Sequence, residues 1–122
     1  MARDGHPFAT IARAWLRHFN DRDLDALLAL YADDAVHVSP KLRDQRPETG
    51  GEIRGKAALR AWWHDCFEGL PGLRYREQRV TASGDRVFLE YLRTVPGQAD
   101  LIVAEQFVVA RGSIVSSRVF HG

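Results

Sequence analysis

Hydrophobic residues along this chain keep two different periods. In the first half they recur every three to four positions, and in the second half they alternate. Ile11, Ala12, Trp15, Leu16 and Phe19 share one helical face behind Pro7, a residue suited to a first helical position. The polar "NDRD" interrupts that face. Asp23 is placed to cap a second helix, on which Leu24, Leu27, Leu28 and Tyr31 fall at i, i+3, i+4 and i+7. Residues 35–39 read as a short strand. After Gly55 a third helix presents Leu59, Trp62, Trp63, Cys66 and Phe67 at the same spacing.

The stretch "PKLRDQRPETGGEIRG" has no clear period and is rich in Pro, Gly and charge. It reads as a loop with room for a short hairpin, and its length suggests a mobile or lid-like segment. Beyond Pro71-Gly72, residues 73–82, 86–95, 101–110 and 114–121 are β-rich runs divided by "SGD", "PGQAD" and "RGS". Three N-terminal helices followed by four antiparallel strands predict an α+β fold, the helices packed on one face of a sheet. Residues 1–122 read as one domain, with no repeat or linker.

Composition narrows the function classes. Hydrophobic residues are 45% and charged residues 27% of the chain, the balance of an ordinary globular protein. The 17 basic and 16 acidic residues are interspersed, so neither a nucleic-acid footprint nor a membrane-surface patch is expected. The lone Cys66 rules out an internal disulfide. The first residues, "MARDGHPFATIARAW", lack the apolar core and cleavage site of a signal peptide, and a cytoplasmic protein is the default expectation. The five histidines show no spacing that suggests a metal site, and no cofactor is expected.

Helix, helix, short strand, helix and four long strands resemble the nuclear transport factor 2-like superfamily, which includes ketosteroid isomerases and SnoaL-like polyketide cyclases. The resemblance is carried by "FNDRDLDALLALYADDAVHVSP", "GGEIRGKAALRAWW" and "GSIVSSRVFHG". It implies a cone-shaped α+β barrel, in which a strongly curved, mostly antiparallel sheet and its helices enclose an apolar pocket. Ketosteroid isomerase places there an Asp base and an oxyanion hole of Tyr and protonated Asp. By that resemblance the base position is Ser39, the oxyanion tyrosine is Trp15 and the protonated acid is Glu105. Serine is no base near neutral pH, and an indole N–H only donates, which points away from steroid isomerisation by that mechanism. The Arg-x-Asp expected of a limonene epoxide hydrolase is also missing from "VFLEYLRT".

Strand alternation sets His37 on the face of Ser39, and His121 on the face of Ser117 and Val119. Glu105 interrupts the apolar run "LIVAEQFVV", between Val103 and Phe107. Two imidazoles and one carboxylate are thereby expected on one pocket, His37 or His121 as base and Glu105 as donor to a developing enolate. Trp15, Tyr31, Ser39, Trp62, Trp63, Phe107 and Val119 are expected to contact substrate. Each has a structural alternative. His37 equally suits a core histidine bonded to a backbone carbonyl, His121 a frayed terminus, and Glu105 a salt bridge or an exposed edge. Glu90 poses the same question as Glu105, with its face undecided. Asp33 and Asp34 read as structural, at a helix-to-strand corner. Arg43, Arg46 and Arg54 read as solvated, with attraction of an anionic ligand group as the alternative.

Three functions stay open at this point. One is a cyclase, isomerase or dehydratase acting by proton transfer on a hydrophobic, carbonyl-bearing molecule. The others are a non-catalytic module for a hydrophobic small molecule and a structural adaptor. Ile102, Ala104 and Val108 on the opposite sheet face suggest a homodimer.

Overall fold

The computed structural model describes residues 7–121. The first six positions of the N-terminal stretch and Gly122 lie outside the described residues. The elements in order are α1 (Pro7–Asn20), α2 (Leu24–Ala29), β1 (Tyr31–Val38), α3 (Pro40–Gln45), a 3-10 turn (Pro47–Thr49), β2 (Glu52–Arg54), α4 (Lys56–Gly69), β3 (Arg74–Ser83), β4 (Arg86–Thr94), β5 (Leu101–Ala110) and β6 (Ser113–His121). The strands form one open six-stranded sheet in the order β2-β1-β6-β5-β4-β3. Every pairing is antiparallel except β1 with β6.

The helices form where periodicity and caps agree. Asp23 Oδ1 accepts from the Ala26 N–H at 3.1 Å and opens α2. Ala12, Trp15, Leu16 and Phe19 are the buried face of α1, which packs on β3 and β4. Asn20, the last residue of α1, pairs with the backbone of Tyr75 in both directions, at 2.7 and 2.9 Å. This ties the edge strand β3 to the helix layer. Among the described residues no helix is long and apolar enough to cross a membrane.

Two expectations need correction. Tyr31 does not belong to α2: the Leu30 N–H closes that helix on Leu27, and Tyr31 opens β1, four residues before the expected strand start. The spacing at i+7 is satisfied because a short helix running directly into a strand keeps Tyr31 on the core side. Between Tyr31↔Ile114 and Val36↔Ser116 the register with β6 shifts, so β1 bulges there. Asp33 and Asp34 sit exposed on that bulge, and Asp33 lies 3.5 Å from Lys56 Nζ.

The second correction concerns residues 40–54, which are not a structureless loop. Pro40 starts α3, whose Leu42 is fully buried. Gly50 and Gly51, both left-handed (φ 67° and 88°), turn the chain so that Ile53 pairs with His37. A side chain at Gly51 would meet Arg43 Cβ at 3.1 Å. The segment is a packed wall beside β1.

Candidate functional site

The inner sheet face is organised in tiers set by strand register. His37, Ser117 and Phe107 lie abreast on β1, β6 and β5. The next tier holds Val119, Glu105 and Leu89, and the one after it His121, Val103 and Tyr91. Arg93 follows on β4, towards the end where His121 is exposed. With α1, α3 and α4 these tiers enclose a cavity of about 290 Å³, walled by Trp15, Trp62 and Trp63.

Glu105 is buried in this wall, 1% exposed. The Tyr91 hydroxyl donates to its Oε1 at 3.1 Å, while Oε2 has no protein partner. Burial disfavours the charged carboxylate and pushes its pKa up to about 8, despite the opposing Tyr91 bond. At neutral pH the group is a carboxylic acid with a proton to donate. Burial also raises Tyr91 and Tyr75 well out of the titrating range, so both remain O–H donors.

His37 is 2% exposed, its ring 5.4 Å from that of Trp63. Burial lowers its pKa to about 4, so the ring is neutral at physiological pH. A buried chain leads to it. The Trp15 indole N–H donates to the Tyr31 hydroxyl at 2.9 Å, Tyr31 donates to Ser117 Oγ at 3.5 Å, and Ser117 Oγ lies 2.6 Å from His37 Nδ1. Because an indole only donates, Tyr31 must pass its own proton on to Ser117. Ser117 then gives its proton to Nδ1; the reverse assignment leaves its hydroxyl hydrogen without an acceptor among the described residues. The network therefore assigns the Nε2–H tautomer to His37.

At the outer part of the wall lie Lys41, Arg93 and His121. Partial burial, Lys41 and Arg93 lower the pKa of His121, so it is largely neutral near pH 7. Asp65 shares this region and is held by Arg46, whose guanidinium also lies 5.5 Å from the Trp62 ring. Cys66 lines the cavity as a thiol, its pKa pushed up to about 11 by burial.

A sequence model of the SnoaL-like domain matches residues 12–117. The chain belongs to the SnoaL-like domain family. No curated protein matches it. Among solved structures, a SnoaL-like protein of unknown function from Burkholderia thailandensis is 24% identical, with a TM-score of 0.85 over 100% of this chain and 98% of its own. TerC, crystallised with polyporic acid, is 22% identical with a TM-score of 0.83, covering 96% of this chain and 92% of its own. A Catenulispora acidiphila protein with a ketosteroid isomerase-like fold, in complex with trimethylamine, is 18% identical with a TM-score of 0.72, over 90% and 83% of the two chains. These likenesses establish the nuclear transport factor 2-like fold.

Within this SnoaL-like domain, His37, Glu105 and His121 all face the cavity, as do Trp15, Ser39, Trp62, Trp63 and Val119. Tyr31 and Phe107 do not reach the lining. Phe107 packs 5.4 Å from Trp15, and Tyr31 stands behind Trp63 and Ser117 as part of the buried chain. His37 bonds a hydroxyl rather than a backbone carbonyl. Glu90 is on the outer face, cross-strand from Ala104 and Arg79. Arg46 is paired rather than solvated, and Arg54 donates to the Asp34 carbonyl at 3.3 Å.

Sequence reading missed Tyr91, Arg93 and Lys41. The first two were legible in part: β4 alternates Val87, Leu89, Tyr91 and Arg93 on one side, so an arginine falls at an inward position. Lys41 carried no signal, since α3 was not foreseen.

Proposed function

We propose that this SnoaL-like domain catalyses proton transfer on a hydrophobic, carbonyl-bearing small molecule. The observation that carries this reading is the half-satisfied carboxyl of Glu105. It is buried and uncharged, and its Oε2 has no protein partner on the wall of an aromatic-lined cavity. A protonated acid in a low-dielectric site is suited to receive the oxygen of a carbonyl as that oxygen gains negative charge.

Roles follow from protonation state. Glu105 donates to the substrate oxygen, and the Nε2–H of His37 is a second donor on the same wall. His37 is too weakly basic to abstract a proton, so the base is His121, neutral and accessible at the mouth. It takes a proton from the carbon next to the carbonyl, leaving an enolate whose oxygen accepts a hydrogen bond from the Glu105 carboxylic acid. Return of that proton to a different carbon gives isomerisation. Departure of a β-hydroxyl as water, protonated by the imidazolium of His121, gives dehydration, and attack of the enolate carbon on a second carbonyl, whose oxygen takes that proton, gives cyclisation.

Binding without catalysis is the runner-up. It would be favoured if Glu105 and His37 were consumed in structural pairs, but each spends one atom on the protein and keeps one for the cavity. The polyporic acid held by TerC supports an organic small molecule as the occupant of this cavity. A pocket filled by aromatic side chains would have favoured the adaptor, and this one is open.

The test follows α-proton exchange of apolar ketones such as 2-tetralone in deuterated buffer by NMR. Wild-type protein is expected to accelerate exchange, and Glu105→Ala to abolish most of the acceleration. Ketones that bind without accelerated exchange would replace the catalytic reading by the binding one.

The outer sheet face supports a homodimer as a further part of the proposal. Phe88, Ile102 and Phe120, on adjacent strands, are 39%, 50% and 45% exposed and form an apolar surface that a second copy would cover.

A further inference from the structure

Arg93 is a buried cation without a counter-charge. The residue is 5% exposed and lines the outer part of the cavity. Its Nη1 donates to the amide oxygen of Gln98 at 3.4 Å, a long and neutral contact, and Nη2 has no acceptor. The two acids that share the cavity wall are otherwise engaged. Asp65 is bound by Arg46. Glu105 pairs in register with Leu89, four residues before Arg93, which puts it roughly 13 Å away along the strand. It is also held in its neutral form.

Burying a guanidinium away from water is costly unless an anion compensates it. Lys41, on the same wall, adds positive charge rather than offsetting it. The inner part of the cavity has the opposite character: Glu105 and His37 are uncharged groups that offer hydrogens, and Tyr91 is an uncharged phenol whose O–H is given to Glu105. The cavity is therefore polarised along its length, cationic at the mouth and neutral-donor inside.

We propose that Arg93 is a carboxylate subsite, and that the substrate is an apolar molecule with a carboxylate at the Arg93 end and its reacting carbonyl at the Glu105 end. This rests on the small-molecule reading of the cavity given above. A planar guanidinium edge matches a planar carboxylate. With Nη1 already engaged by Gln98, the remaining donors suit a monoanion better than a phosphate. The same contact fixes which way round the substrate enters, because its charged end is excluded from the uncharged inner wall.

A matched pair of probes separates the charge from the apolar body. 2-Naphthylacetate and 2-naphthylacetamide are titrated calorimetrically into the full chain at pH 7. The acid is expected to bind about tenfold tighter than the amide, or more, as a charge-assisted hydrogen bond requires. Arg93→Met should bring the two affinities together while leaving that of the amide within about twofold, and Arg93→Lys should retain part of the preference. Equal binding of acid and amide to the wild type would overturn the subsite and leave the pocket reading intact. A preference that survives in Arg93→Met would also overturn it, passing the role to Lys41. If neither probe binds, the pocket reading falls with it. If Arg93→Met fails to fold, Lys41→Met decides the assignment: a retained preference for the acid supports Arg93, and a lost one overturns it.

Discussion

The Nδ1 atom of His37 lies 2.6 Å from the Ser117 hydroxyl, a contact that fits an imidazole whose other nitrogen carries the hydrogen. Of the ways to place the hydrogens on Trp15, Tyr31 and Ser117, this one gives every hydroxyl hydrogen an acceptor. Imidazole ¹⁵N shifts are expected to show the Nε2–H tautomer in the wild type. Ser117→Ala should disturb that tautomer and cost about 1–3 kcal/mol in urea unfolding, because it strands the Tyr31 O–H and the His37 acceptor together. An Nδ1–H tautomer in the wild type would reverse the assignment.

Two buried groups should shape the pH dependence of stability from opposite sides. Glu105 has a folded pKa of about 8 against 4.5 for an ordinary glutamate, so its favourable contribution is complete below 4.5 and is lost as pH rises through 8. His37 has a folded pKa of about 4 against 6.5, so its contribution is complete above 6.5 and is lost as pH falls through 4. Thermal unfolding across pH 3–9 should therefore show Glu105→Gln flattening the alkaline limb and His37→Asn flattening the acid limb. If Glu105→Gln left the alkaline limb unchanged, the carboxyl would have to be ionised in the folded protein.

Removal of the Glu105 donor should lower α-proton exchange by about 10²–10³-fold, the range found when one oxyanion-hole donor is deleted. Glu105→Gln keeps an N–H in place of the O–H and is expected to fall between the wild type and Glu105→Ala. His121→Ala should slow exchange with little effect on ketone binding, since the base touches only the proton in flight. Equal exchange rates for His121→Ala and the wild type would remove histidine from the base role.

The outer face yields a prediction independent of the cavity. Light scattering at micromolar concentration should give twice the 13.8 kDa chain mass, and Ile102→Lys should return the monomer by placing a charge in the buried patch. A monomeric wild type would refute the dimer.

Much of this architecture was legible in the chain because its signals are local. Period and capping at Asp23 located the first two helices, and turn residues such as "SGD" and "RGS" divided the long strands. Residues 40–54 were misread because their order is not local: α3 and β2 exist through Leu42 in the core and the pairing of Ile53 with His37. The same distinction runs through the site. Glu105 stood out as a carboxylate inside "LIVAEQFVV", whereas nothing near Arg93 in the chain reveals that it would be buried without an acid.

The sequence by itself determined which residues share a face of each strand and helix, since alternation and helical period depend only on neighbouring positions. Together with the family resemblance it led to the expectation of His37, Glu105 and His121 on one pocket. Only the tertiary structure decided what those residues are chemically. Whether an imidazole is base or donor, and whether a carboxyl is charged or neutral, depends on water exclusion and on partners distant in the chain: Ser117 for His37, Tyr91 for Glu105. Protonation is set by the environment, and the environment exists only once the sheet and helices have closed around the cavity.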